Sequence, residues 1–384
     1  MKRLLMIFCA LALFSSNMYA QLSLRDKIGQ MLIIGFDGKT VSRDSQIVKD
    51  IQNDNLGGVI LFDVDVRTKR RGKNIESQEQ VKRLNHDLQC AATAASLAHR
   101  RPLLPLIISI DYEGGQVNRL NPVYGFPEVP PAKAVGQSGK TSAKAAANTM
   151  ADVLKEAGFN LNLMPVVDVD VNPNNPIIGR LERSFSKDPN DVAMFAHLYA
   201  KALRNNGIQC VYKHFPGHGS STADSHLDFV DVTDSWKSLE LTPYRILLQE
   251  KDGCGAIMSA HAVNRQLDKS GTPATLSHTI LTELLRKKLG FNGVIMTDDM
   301  QMKAISAHYG LENAITMAIN AGADMLIFGN NLLEKPQTPE ALIDIIASRV
   351  ESGDIPRQRI EEVWKRIEAF KKTLKPMLPS DCET

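Results

Sequence analysis

No CxxC pair occurs in the chain, and its five cysteines lie far apart. That spacing excludes a zinc ribbon and a disulfide-dense scaffold. Charge of one sign is also missing. Lysine and arginine number 45 against 43 acids, a net charge of +2. Nucleic acid and anionic membrane are therefore not the partners this balance predicts. Long apolar runs are absent after the first twenty residues, so no stable membrane anchor is expected. No proline- or serine-rich linker divides the chain, which reads as one domain over 21–384.

What is present begins with MKRLLMIFCALALFSSNMYA. Lys2 and Arg3 precede an apolar run too short to span a bilayer, and small and polar residues follow. This is the order of a secretory signal peptide, residues 1–20. Cleavage is expected after Ala20, although Met18 is large for its position, and it leaves Gln21 first. The mature chain then carries zero net charge and is exported, either to a periplasm or out of the cell. Cys90, Cys210, Cys254 and Cys382 remain. Cys210 and Cys254 flank apolar runs and read as core thiols; which cysteines an oxidising compartment would pair is not set by the sequence.

Eight nearly continuous apolar, β-rich runs follow one another: 30–36, 57–62, 105–111, 161–169, 208–214, 256–263, 293–299 and 324–330. Runs of this kind are strands buried on both faces. Helical stretches lie between most of them, such as 78–98, 142–157, 189–205, 276–289 and 311–321, and an amphipathic stretch over 357–372 closes the chain. Alternation of this length predicts a (β/α)8 TIM-type barrel of α/β class. Residues 63–77, DVDVRTKRRGKNIES, break the rhythm. They read as a solvated loop or as a basic rim that touches an anionic glycan.

In such a barrel the chemistry gathers at the carboxyl ends of the strands. Here those ends are polar: Asp111 ends the third run, Lys213 and His214 the fifth, and Asp298 and Asp299 the seventh, while the sixth carries His261. Carboxylates accept from paired hydroxyls and cations donate to them, so a sugar pocket uses both. The densest stretch is 211–226, VYKHFPGHGSSTADSH. Three readings fit it: a solvated loop with core histidines, a metal site on His214 and His218, or a glycosidase site in which Asp224 supports His226 as proton donor. Pro216 and Gly217 break the helix that the metal spacing needs, so the second reading is discounted.

KHFPGHG followed by DSH resembles the β-N-acetylhexosaminidase branch of family 3 glycoside hydrolases, the type that acts on peptidoglycan fragments. IDYEGGQVNRL is similar to that family's D-x-E-G-G-x-V-x-R motif, NPNNPIIGRLERSF to its loop ending in R-S-F, and MTDDM to its nucleophile motif. The resemblance implies Asp298 as nucleophile, with Asp299 a structural neighbour. It implies Asp224 and His226 as an acid/base dyad on a loop, and Asp111, Arg119, Arg183, Lys213 and His214 as sugar-binding residues. Gln116, where arginine is common, departs from the pattern, and so does the longer loop before Arg183. The implied activity is a retaining exo-β-N-acetylglucosaminidase acting on muropeptide or chitin-like carbohydrate, without metal or organic cofactor. A β-glucosidase or phosphorylase on the same scaffold, and a catalytically silent glycan-binding protein, are the alternatives.

Overall fold

The computed structural model describes residues 22–224, 230–333 and 335–382. Eight parallel strands close into a barrel in chain order. They are β1 (Leu32–Gly35), β2 (Gly58–Ile60), β3 (Ile107–Ile110), β4 (Leu161–Asn162), β5 (Gln209–Phe215), β6 (Ala256–Ser259), β7 (Val294–Asp299) and β8 (Met325–Phe328). Closure comes from β1 pairing with both ends of the series: Ile33 stands opposite Gly58 on one side and Ile327 on the other. Every residue of β1 to β6 and β8 is buried, which is why these segments carry almost no polar alternation.

Helices form the outer layer, and local chemistry sets their ends. Gln78–Ala98 starts at Ser77, whose hydroxyl accepts the Gln80 amide. Pro189–Asn205 starts at Asp188, which accepts the Asn190 amide, and has proline in its first turn. The helix Arg357–Lys371 packs across the amino end of the barrel. There Lys371 Nζ donates to Gln30 Oε1 and to the Gly57 carbonyl, both at 2.7 Å. Among the described residues no helix is long and apolar enough to cross a membrane.

Three expectations change in detail. The run 161–169 contributes only Leu161–Asn162 as ladder, followed by a bridge from Val166 to Lys213. Pro165 brings no amide hydrogen to the ladder, which is thinned there, while the Val167 amide still donates to the Lys213 carbonyl at 2.8 Å and so carries Asp168 up beside β5. The helix between β6 and β7, Thr279–Lys288, is a π-helix. Cys210 and Cys254 are not core thiols: they form a disulfide with a Cα–Cα distance of 4.8 Å, and Cys90 is joined to Cys382. Cys210 lies on β5 and Cys254 just before β6, so adjacent parallel strands bring the pair together.

Candidate active site

The last residues of the strands and the loops after them enclose a cavity of about 260 Å3. Asp111, Arg119, Arg183, Lys213, His214 and Asp298 all line it, as do Asp299, His218 and the apolar Phe62, Val66, Met258 and Met302. Six of the eight residues expected from the sequence thus meet at one place. Asp224 ends the described part of its loop, half-buried, and does not line this cavity. His226 lies outside the described residues.

The polar wall is built around Glu113. Its carboxylate receives Arg183 Nε at 2.7 Å and a terminal nitrogen of the same guanidinium at 2.8 Å, a two-pronged contact. Lys213 Nζ reaches the same carboxylate at 2.7 Å and Asp111 Oδ1 at 2.8 Å. Burial alone would raise the Glu113 pKa, but Arg183 and Lys213 outweigh it and hold the carboxyl well below its ordinary range. For Lys213 burial opposes the charge, and Asp111 and Glu113 prevail to raise its pKa. The result is a fixed row of charges whose mutual contacts leave Asp111 and Lys213 facing the cavity. Gly114 makes the turn that follows Glu113: its φ is +85°, and a Cβ there would lie 2.4 Å from the Pro130 carbonyl.

A second buried carboxylate, Asp168, organises the loop after β5. One oxygen receives the His214 ring at 2.7 Å, and the other receives the His218 amide at 2.8 Å. Burial would raise its pKa, yet His214 and the donors around it lower it. Gly219 packs so closely on the chain after β4 that a Cβ would fall 1.8 Å from the Val169 carbonyl. Its amide donates to Glu240 Oε2 at 2.9 Å. Burial, with Asp168 adding repulsion, pushes the Glu240 carboxyl up to about 7. His218 is buried against the cavity, and neither of its ring nitrogens is hydrogen-bonded among the described residues. Burial pushes its pKa down to about 4 against the pull of Asp168, so the imidazole is neutral across the usual pH range.

At the opposite wall Asp298 and Asp299 end β7. Asp298 Oδ1 accepts the Asp299 amide at 2.8 Å, and Asp299 Oδ1 accepts the Gln301 amide at 3.0 Å. His261 does not line the cavity. Its ring contacts Thr275 Oγ1 at 2.8 Å and the Asp299 carbonyl at 3.0 Å, so it braces the strand end from behind. Glu113 and Asp168 were not singled out from the sequence. Glu113 stands two places after Asp111 and Asp168 is the only acid of the run 161–169, and the partners of each sit on other strands and loops.

The sequence and the fold have counterparts among known proteins. Residues 23–370 match the glycosyl hydrolase family 3 N terminal domain. A β-hexosaminidase of Tolumonas auensis is 33% identical over 337 residues, covering 85% of this chain and 92% of that protein. The structure of a family 3 β-N-acetylglucosaminidase from Paenibacillus sp. superposes with a TM-score of 0.80 at 33% identity. The match covers 92% of this chain and 63% of that longer one, so the chain spans less than two thirds of it. A β-N-acetylhexosaminidase of Beutenbergia cavernae superposes with a TM-score of 0.79 at 27% identity, over 92% of this chain and 99% of that one.

Proposed function

The chain belongs to glycosyl hydrolase family 3, and we propose that it is a retaining exo-β-N-acetylglucosaminidase that releases terminal N-acetylglucosamine from muropeptide or chitin-like fragments. The observation that carries this reading is the convergence of Asp298 with Asp111, Lys213, His214 and Arg183 on one cavity. A carboxylate stands on one wall, and a row of charged hydroxyl partners stands on the other.

The chemistry follows from that placement. Asp111 accepts from sugar hydroxyls, and Lys213 and Arg183 donate to them, which holds the ring with its anomeric carbon over Asp298. The Asp298 carboxylate attacks that carbon as the glycosidic bond breaks, giving a glycosyl ester. His226, the acid/base partner of Asp224 in this reading, delivers a proton to the leaving oxygen. It then takes a proton from the water that cleaves the ester. Two displacements restore the β configuration.

Export remains part of the proposal. Both disulfides are of a kind that persists in an oxidising compartment, consistent with a signal peptide at 1–20. N-terminal sequencing of protein from the native host should begin near Gln21.

The decisive test of the chemistry uses a fluorinated N-acetylglucosaminide with a good leaving group. It should leave one sugar on the peptide spanning residues 296–300, attached to Asp298. Asp298→Ala should lower turnover of an aryl N-acetyl-β-glucosaminide by several orders of magnitude, because both displacements pass through this residue. An adduct on Asp299, or an unaltered rate in the variant, refutes the assignment. Binding of the sugar without turnover by the wild type would favour the glycan-binding reading.

A further inference from the structure

Residues 63–77 are more than a solvated loop. They fold into a two-stranded hairpin in which Val64 pairs with Arg71 and Asp65 with Arg70. The hairpin follows β2, so it stands on the rim where the strands end. It is clamped there by Asn331, another cavity residue, whose Oδ1 accepts the Val66 amide at 3.1 Å and whose Nδ2 donates to the Val64 carbonyl at 3.0 Å. Lys73 Nζ ties its base to the Asn330 carbonyl at 2.8 Å.

Its charges do not balance. Every acid of the segment is engaged: Asp63 by Arg119 at 3.4 Å, Asp65 by Arg67 at 2.8 Å and Glu76 by Lys39 at 2.7 Å. Arg67 and Lys73 also share Asp37, at 2.9 and 3.1 Å. Lys69, Arg70 and Arg71 are left exposed, with no ion pair among the described residues. The rim therefore carries three cations that no acid in the described fold neutralises.

Strand geometry separates these cations. Residues directly opposite in an antiparallel pair share a face, and so do residues two apart. Arg71, opposite Val64, and Arg70, opposite Asp65, thus leave the hairpin on opposite faces, and Val66, the first residue of the turn between the strands, lines the cavity while 51% exposed. Arg70 shares its face with Asp65, whose carboxylate Arg67 holds. Arg71 is also near enough to act on the hydroxyl of Tyr124, which donates to the Asp63 carbonyl beside Arg119, a cavity residue.

We propose that this hairpin is a leaving-group subsite for aglycones that carry a carboxylate, with Arg71 supplying the cation and Val66 an apolar contact. The proposal rests on the reading of the cavity as the site of the terminal sugar, since the leaving group then emerges at the rim. It names the substrate class as N-acetylglucosaminides joined to an anionic partner, in preference to neutral chitin fragments.

The test uses the full chain and two aryl N-acetyl-β-glucosaminides that differ only in a ring carboxylate or carboxamide. The measured quantity is the ratio of their kcat/KM values. An exposed pair of this type is expected to favour the carboxylate about two- to five-fold. Arg71→Gln should remove that preference, Arg71→Glu should reverse it, and Arg70→Gln should leave it in place. Rising salt should shrink it in the wild type. A ratio that ignores Arg71, or that moves equally with Arg70, overturns the subsite. The carboxamide substrate keeps the two proposals apart: if it is turned over while the ratio ignores Arg71, only the subsite falls. If neither glycoside is cleaved, the glycosidase reading fails and the subsite falls with it.

Discussion

Glu113 and Lys213 meet at 2.7 Å inside the wall of the cavity, and each is 3% exposed or less. Neither charge is tolerable there alone. Lys213 is shared with Asp111, and Glu113 grips Arg183 with both oxygens, so four charged groups from three segments of the chain form one balanced set. The pairing fixes where the cations stand before any ligand arrives.

Breaking this set should therefore harm both stability and function. Glu113→Gln leaves Arg183 and Lys213 buried with one carboxylate fewer, and a broken buried pair typically costs about 3–5 kcal/mol. The pH dependence follows from the depressed Glu113 pKa. A carboxylate whose folded pKa lies below its unfolded value contributes stability above the unfolded value, 4.5, and loses it as pH falls toward the folded one. Chemical denaturation should show the wild type losing its advantage over Glu113→Gln as pH drops below 4.5. Equal losses in both proteins on acidification would show that Glu113 carries no such linkage.

The barrel was legible in the sequence because strands buried on both faces must be almost wholly apolar, and eight such runs leave few alternatives. Gln78–Ala98, Pro189–Asn205 and Leu311–Ala321 end where the pattern places them, since their caps and breakers are local. The cavity residues were legible through motifs at the strand ends. Glu113 was not, because its meaning comes from Arg183 and Lys213, 70 and 100 positions further along the chain. The pairing of Cys210 with Cys254 was hidden for the same reason: it depends on β5 and β6 being neighbours. Basic residues 69–71 gave their charge to the sequence reading, but which of them faces the rim needed the register of the hairpin.

His218 should separate stability from binding. Its imidazole is neutral and carries one donor and one acceptor, both without a partner among the described residues. A sugar hydroxyl donates and accepts and so matches both. An unsatisfied buried polar group costs about 1–3 kcal/mol, so His218→Leu should leave the free protein as stable as the wild type or more so. The same change should raise KM for the N-acetylglucosaminide about ten-fold, as expected for one hydrogen bond worth roughly 1.4 kcal/mol. Thermal melts and steady-state kinetics on one preparation decide the matter. A destabilised variant with unchanged KM would make His218 a packing residue.

Lys371 gives the clearest pH signature outside the cavity. Its ammonium is buried under the amino end of the barrel, with Gln30 Oε1 and the Gly57 carbonyl as acceptors and no carboxylate paired with it among the described residues. Burial disfavours the charged form and pushes the pKa down to about 7. In the unfolded chain the same group holds its proton up to the ordinary lysine value of 10.5. Between these values the unfolded state binds more protons than the folded one, so stability must rise as pH increases from about 7 to 10.5 and level off outside that window. Across the whole window the rise amounts to a few kcal/mol, on the order of 1.4 kcal/mol per pH unit. Lys371→Met removes the titration and leaves two acceptors without their donor, a cost of about 1–3 kcal/mol that does not vary with pH. Measured side by side, the stability of the wild type relative to Lys371→Met should therefore climb across that window, whichever protein is the more stable at pH 7. Parallel curves between pH 7 and 10 would mean that Lys371 keeps its proton in the folded barrel, held by its two carbonyl-type acceptors.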